Sequence, residues 1–305
     1  MKAEIVGIGA CVYDTLIELT DFPAEDTKSY INTKLSGGGG PCATSLVTAA
    51  RLGAQTAYVG TLTDDFAGGF LYDDFKKYGV VTDFILIKKN YRSFSAFVLL
   101  NKKTGSRTCL LDHGNLPPLQ LNSKQIDAIK NADILIVDGN EIEAAIHGAT
   151  IAHAAGKKVL YDAGGIYANI EPLLALTNIL IPSEEFAKRF TSENSAELAA
   201  KKLYKTFRPD IVVVTKGKNG GIMCWENNIV SYPAFPVDTV DSNGAGDVFH
   251  GAFAFFVAQG FSYEKCCLFS SSVSALKCTR IGSRQGTPTY QQTIQFLKER
   301  GIYEL

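Results

Sequence analysis

Short apolar runs alternate with longer amphipathic segments through the second half of the chain. They predict strand Ile134–Val137, helix Glu141–Ala155, strand Lys158–Tyr161 and helix Ile170–Leu176. Strand Asn178–Ile181, helix Ala196–Thr206 and strand Ile211–Thr215 continue the series. Repeated β-α units with short, uniformly apolar strands form a parallel sheet covered on both faces, and right-handed crossovers wind it doubly. In the first half the pattern predicts strand Glu4–Ala10, an exposed strand Thr27–Leu35, helix Cys42–Leu52, strand Gln55–Gly60 and helix Phe66–Tyr78. Ser93–Leu100 and Arg107–Leu111 flank Lys102-Lys103-Thr104-Gly105 as a hairpin. No helix separates those two strands, so with 28–35 they should build a small sheet of their own. Near the end come helix Val248–Ala258, helix Ser270–Thr279 and a loop from Arg280 to Pro288.

Composition changes this picture little. A chain of 305 residues, 46% hydrophobic and 20% charged, is ample for one large α/β domain spanning 1–305. A formal net charge of -1 argues against nucleic acid and membrane surfaces as partners. Met1-Lys2-Ala3-Glu4 leads into a strand and does not read as a signal peptide, and no apolar run is long enough to span a bilayer. Seven cysteines without a C-x-x-C pair predict reduced, mostly buried thiols in a cytoplasmic protein.

The chemistry concentrates in Asp241-Ser242-Asn243-Gly244-Ala245-Gly246-Asp247. Three small residues before a helix let backbone amides approach an anion, where the helix end is partly positive. A carboxylate at Asp247 beside such an anion is either a helix cap or a base that takes a proton from an attacking hydroxyl, and spacing alone leaves both open. Gly39-Gly40-Pro41 opens another helix, either as a hinge or as a close backbone approach. Asp14 lies past the carboxyl end of the first strand, where open parallel sheets keep their sites, although the residues by themselves favour a turn Asp there. Gly7-Ile8-Gly9 is not a dinucleotide fingerprint, since Val12 stands where the third glycine belongs. There is no P-loop and no H-R-D catalytic loop, and the four histidines lack metal-ligand spacing. His250 reads as a packed core residue, and Asp64 and Asp65 as a helix N-terminus.

The run Asp241–Asp247 resembles the D-T-x-G-A-G-D signature of the ribokinase-like (PfkB) carbohydrate kinases. Gly39-Gly40 through Leu52-Gly53 is similar to that family's second signature, with Pro41 and Thr44 departing from it. The resemblance implies a three-layer α/β/α sandwich with a small β-sheet lid, here about 12–35 and 91–113, whose strands also serve as a homodimer surface. It implies ATP and Mg²⁺, in some members a monovalent cation such as K⁺, and phosphoryl transfer to a sugar hydroxyl. Asp247 would then be the general base, with the amides of Gly244, Ala245 and Gly246 as anion hole. Substrate contacts would fall to Asp14, Lys28, Gly39, Gly40, Thr44, Arg107 and Asn140, with Asp112, His113 and Asn115 nearby.

Thr215, Gly217 and Gly220 match the family's T-x-G-x-x-G nucleotide loop, joined by Asn243, Gly244 and Gly246. Ser183 and Phe186 replace the Asn and Glu of the family's metal motif, leaving Glu184 as an indirect Mg²⁺ residue. Arg284 would line the adenine pocket or lie on the surface. Val248–Ala252, Ala275–Arg280 and Ser183 are similar to the ketohexokinase and sulfofructose-kinase branch, which favours a ketohexose or a derivative, with Lys28 free for an anionic group. Two rivals remain. A nucleoside kinase of the same fold would use Phe94 and Phe97 as a base pocket. A catalytically idle sugar- or nucleotide-binding regulator is the other.

Overall fold

The computed structural model describes residues 3–103, 107–226 and 228–303. In chain order the strands are β1 Ile5–Ile8, β2 Val12–Leu19, β3 Thr33–Gly39, β4 Thr56–Tyr58, β5 Gly60–Thr63, β6 Ile85–Lys88 and β7 Ser95–Asn101. They continue as β8 Arg107–Asp112, β9 Ile134–Val137, β10 Lys158–Ala163, β11 Ile179–Pro182, β12 Ile211–Thr215, β13 Gly221–Trp225 and β14 Asn228–Tyr232. Eight of them form one sheet in the order β14-β13-β12-β11-β10-β9-β1-β4. It is parallel from β12 to β4 and ends in an antiparallel hairpin at β13 and β14.

The alternation of side chains across this sheet creates two apolar layers. Ile134, Ile136, Ile211 and Val213 pack on the face covered by helices Pro41–Leu52, Ala245–Ala258 and Tyr263–Cys278. Leu135, Val137, Val212 and Val214 pack on the other, against helices Ile142–Ala154 and Ala196–Phe207. Because both faces are buried, the strands read as unbroken apolar runs, and that is why they were legible. A second sheet, β3-β2-β7-β8, stands apart as the small lid.

Several boundaries differ from the sequence expectation. The exposed strand begins at Thr33, not at Thr27, and runs through Gly39. Gly37, Gly38 and Gly39 pair with Asp14, Tyr13 and Val12 and are strand, not hinge. Gln55–Gly60 splits at Val59 into β4, in the main sheet, and β5, which pairs with β6. The helices predicted at Val248–Ala258 and Ser270–Thr279 begin earlier, at Ala245 and at Tyr263 behind a Ser262 cap, and helix Tyr290–Lys298 after them was not predicted. Helix Glu184–Thr191, capped by Ser183 Oγ on Phe186 N at 3.1 Å, was not anticipated, nor was the β13–β14 hairpin. The β7–β8 pairing is antiparallel as expected, while Thr104 and Gly105 of its turn lie outside the described residues, as do Met1 and Lys2. Among the described residues all seven cysteines are free thiols, five of them buried. No helix there is long and apolar enough to cross a membrane.

Candidate active site

Gly244 is the N-cap of helix Ala245–Ala258, in a left-handed conformation with φ 75°. A side chain there would be strained, and its Cβ would meet Ser283 Cβ at 2.5 Å. Asp247 is therefore not the cap: it is the third residue of the first turn, which removes the capping reading. Ala245 N closes the turn on Ser242 O at 3.2 Å, while the amides of Gly244, Gly246 and Asp247 have no acceptor among the described residues. Two neighbours brace this turn. Ser45 Oγ donates to Asp247 O at 2.9 Å, and Ser274 Oγ donates to Ala245 O at 2.8 Å.

The turn opens on a cavity of about 540 Å³ lined by Thr215, Gly217, Gly220, Ser242, Ala245 and Gly246, with Phe235, Phe249 and Ala275 as an apolar wall. Thr215 ends β12, and its Oγ1 lies 3.5 Å from Pro182 O at the end of β11, next to Ser183 and Glu184. Asn243 falls elsewhere. Its amide donates to Asp241 Oδ1 at 2.8 Å, and its residue lines a separate cavity of about 170 Å³ together with Asp14, Gly37 and Gly38. Glu184 is half-buried and follows Ser183, which bridges to Thr215, but does not itself line the cavity, and no group of three His, Cys, Asp or Glu side chains suited to a metal occurs among the described residues.

Asp14 projects from β2 against the glycine strand. A Cβ on Gly39 would stand 2.1 Å from Asp14 Oδ2, so only glycine admits the carboxylate at that place. Neither the Asp14 nor the Asp247 carboxylate accepts a hydrogen bond from any described residue. Burial pushes Asp14 up to about 7, against the pull of Arg284, and the charges of Asp247 and Asp241 add to the rise. Asp247 is raised too, by burial first and then by Asp162, opposed by His250 and Arg107. Asp138 and Asp162, at the ends of β9 and β10, are likewise raised by burial.

Asp138 binds the amides of Ala10 and Cys42 at 2.8 and 3.0 Å and thereby joins β1 to helix Pro41–Leu52. His250 is a core residue as expected, with Nε2 3.1 Å from Ile181 O and Nδ1 3.1 Å from Asp162 Oδ2.

Other predicted residues scatter around this centre. Asn140 donates to Asp138 Oδ1 through its amide N at 2.9 Å and Nδ2 at 3.2 Å, and it lines a cavity of about 320 Å³ with Phe94 and His113. Arg107, at the start of β8, reaches Ser242 O and Oγ at 3.4 Å and so links the lid to the signature loop. Thr44 is fully enclosed, and its hydroxyl has no partner among the described residues. Lys28 lies exposed between β2 and β3 without an ion pair among the described residues. Asp65 caps its helix on Gly68 N at 2.7 Å and also holds Ser93, a structural role as anticipated. Asp112 pairs with Arg92 at 2.9 Å, and Asn115 Oδ1 accepts from Arg92 N, so both serve the loop beside β8. Phe97 is half exposed and turned away from the cavity that Phe94 lines.

Arg284 departs furthest from expectation. It is neither a surface charge nor a pocket residue but completely buried. Nη1 donates to Asp74 Oδ2 at 2.8 Å, Nη2 donates to Gly39 O at 2.6 Å, and the guanidinium sits 5.0 Å from the Phe75 ring centre. It ties the C-terminal loop to the glycine strand that receives Asp14.

Two signature loops, a glycine turn with free amides and a carboxylate in it, and a lid strand touching that turn are thus assembled at one end of a doubly wound sheet. The pfkB family carbohydrate kinase pattern matches residues 2–290. The chain belongs to the pfkB family of carbohydrate kinases. Members of this family are phosphotransferases with an alcohol group as acceptor. The chain is 27% identical to the ribokinase of Haemophilus influenzae over 85% of this chain and 87% of that one. It is 22% identical to a nucleoside kinase of Methanothermobacter thermautotrophicus over 99% and 97%. The structure of Arabidopsis thaliana ribokinase complexed with ribose and ATP superimposes with a TM-score of 0.86 at 25% identity, covering 98% of this chain and 99% of that one. None of these relatives singles out the ketohexokinase branch.

Proposed function

We propose that this pfkB kinase transfers the γ-phosphoryl group of ATP to a hydroxyl of a small free sugar, a pentose or a ketohexose. One observation carries the reading: Asp247 presents an unpartnered carboxylate in the same helix turn whose amides at Gly244 and Gly246 are free, and Gly246 lines the 540 Å³ cavity. The nucleotide lies in that cavity with its phosphates toward the turn. The sugar lies on the far side of the turn, its hydroxyls donating to Asp14. An ionised carboxylate is an acceptor only, and two unpartnered ones suit a polyhydroxyl ligand.

Asp247 takes the proton of the attacking hydroxyl. The sugar oxygen forms its bond to the γ-phosphorus as the bond to the bridging oxygen of ADP breaks. The glycine amides stabilise the charge on the transferring oxygens. Mg²⁺, when bound, would neutralise phosphate charge, and Glu184 is the residue that would hold it indirectly, since no cluster of carboxylates suited to a metal occurs among the described residues. Arg107 brings the lid onto the signature loop and excludes water from the reacting centre. The exposed apolar side chains Phe97, Leu110 and Leu111 on the lid support a homodimer through its strands.

A nucleoside acceptor is the second reading, favoured by Phe94 and His113, whose rings lie 4.4 Å apart and tilted by 36° in the 320 Å³ cavity, and by the nucleoside kinase relative. The deciding experiment is ADP release from Mg-ATP across pentoses, ketohexoses, their phosphates and sulfonates, and nucleosides, with Asp247→Asn in parallel. Turnover on free sugars, lost in the variant by roughly a thousandfold or more while ATP still binds, is the expected result. Equal turnover in Asp247→Asn would remove the base role, and silence across the panel with ATP still bound would favour an idle regulator.

A further inference from the structure

The loop after helix Tyr263–Cys278, where the family resemblance implies a monovalent-cation site in some relatives, closes here over a charge of the protein's own. Lys277 is completely buried. Its Nζ donates to the Asp241 main-chain oxygen at 2.7 Å and stands 3.6 Å from Asp241 Oδ2. Asp241 is 2% exposed and commits both carboxylate oxygens to backbone. Oδ1 accepts from Asn243 N at 2.8 Å, and Oδ2 accepts from Gly282 N at 2.9 Å. One carboxylate thus ties the signature loop to the closing loop, with one ammonium beneath the tie.

A buried carboxylate requires a compensating positive charge close by. Where the protein supplies none, a small dissolved cation coordinated by oxygens is the available substitute. Here the charge is covalently attached, and a second monocation among the same oxygens would be repelled at short range in a poorly screened interior. The residues therefore do not fit an exchangeable K⁺ at Asp241.

We propose that Lys277 is a positioning residue whose ammonium permanently replaces an exchangeable monovalent cation beneath the anion-binding turn, making the protein indifferent to K⁺. This rests on the phosphotransfer reading given above, and the test keeps the two apart. Melting temperature and ADP release are measured for the native chain, Lys277→Ala and Lys277→Met at fixed ionic strength in sodium, potassium, methylammonium or tetramethylammonium chloride. The alanine variant leaves an oxygen-lined hole, whereas the methionine variant fills it without charge.

The native chain should change by less than about twofold among these salts. Lys277→Ala should be slower by about tenfold in sodium and recover both rate and melting temperature in potassium or methylammonium. Lys277→Met should stay slow in all four. Activation of the native chain by potassium over sodium, or identical salt responses of the two variants, would overturn the proposal. If no panel substrate is phosphorylated, the phosphotransfer reading has failed by itself. The melting temperatures then decide alone: a gain by potassium confined to Lys277→Ala upholds the built-in cation, and equal gains refute it. If Lys277→Ala folds only in potassium or methylammonium the proposal stands, and if it folds in no salt, the salt response of native melting temperature is decisive.

Discussion

Asp14 and Asp247 pull function and stability in opposite directions. Both would be charged in the proposed mechanism, and burial raises both in the folded protein. For Asp14, with a folded value of about 7 against 3.8 unfolded, the sign follows directly. The folded state holds the proton more tightly, so ionisation destabilises it, fully above pH 7 and progressively less as pH falls toward the unfolded value. Asp14→Asn should therefore raise the melting temperature at pH 8 and lose most of that gain by pH 5, while raising KM for the sugar; a flat difference across pH would contradict the upward shift. The raised Asp247 predicts a kcat/KM that falls on the acid side of neutrality, where the base is protonated, and that limb should vanish from the residual rate of Asp247→Asn. These two residues were legible in the sequence, because a carboxylate next to glycines at a strand or helix end is locally conspicuous. Asp162 and Lys277 were not, since nothing near them in sequence marks their burial.

Among the elements, the connection between the glycine strand β3 and the C-terminal loop has no local signal at all. Arg284 reads as an ordinary loop charge because Asp74 and Gly39 lie 210 and 245 positions away. Removing one member of a buried hydrogen-bonded ion pair strands the other, so Arg284→Met should destabilise by about 3–5 kcal/mol in urea unfolding, with sugar KM rising because Gly39 and Asp14 lose their brace. By contrast the parallel apolar strands of the main sheet announced themselves, since a strand buried on both faces needs no partner to be recognised, whereas the antiparallel hairpin at its edge did not. The strands of the lid, half exposed, were misplaced by several residues at β3. There the glycines that end the strand carry no side-chain pattern to read.

For the molecule as a whole, Arg107 is the contact that spans from lid to signature loop. Its bonds to Ser242 are long, at 3.4 Å, and solvent-exposed, so they contribute little to stability. Arg107→Ala should change the melting temperature by no more than about 1 °C yet lower kcat by about tenfold, as a rate loss without a folding loss. A large fall in stability would instead make the lid part of the core.

The burial of Arg284 also governs the order in which this protein can be completed. The strand that receives it, β3, is synthesised early, and Asp74 soon after, yet the cation that satisfies both arrives only with the closing loop. Until then a nascent chain lacks the partner of the Asp74 carboxylate and the Gly39 carbonyl, beside the proposed sugar site. Such long-range closure is slow and late. The geometry proposed for the sugar side of the site, with Gly39 braced by Arg284, therefore cannot be reached until the closing loop has been made.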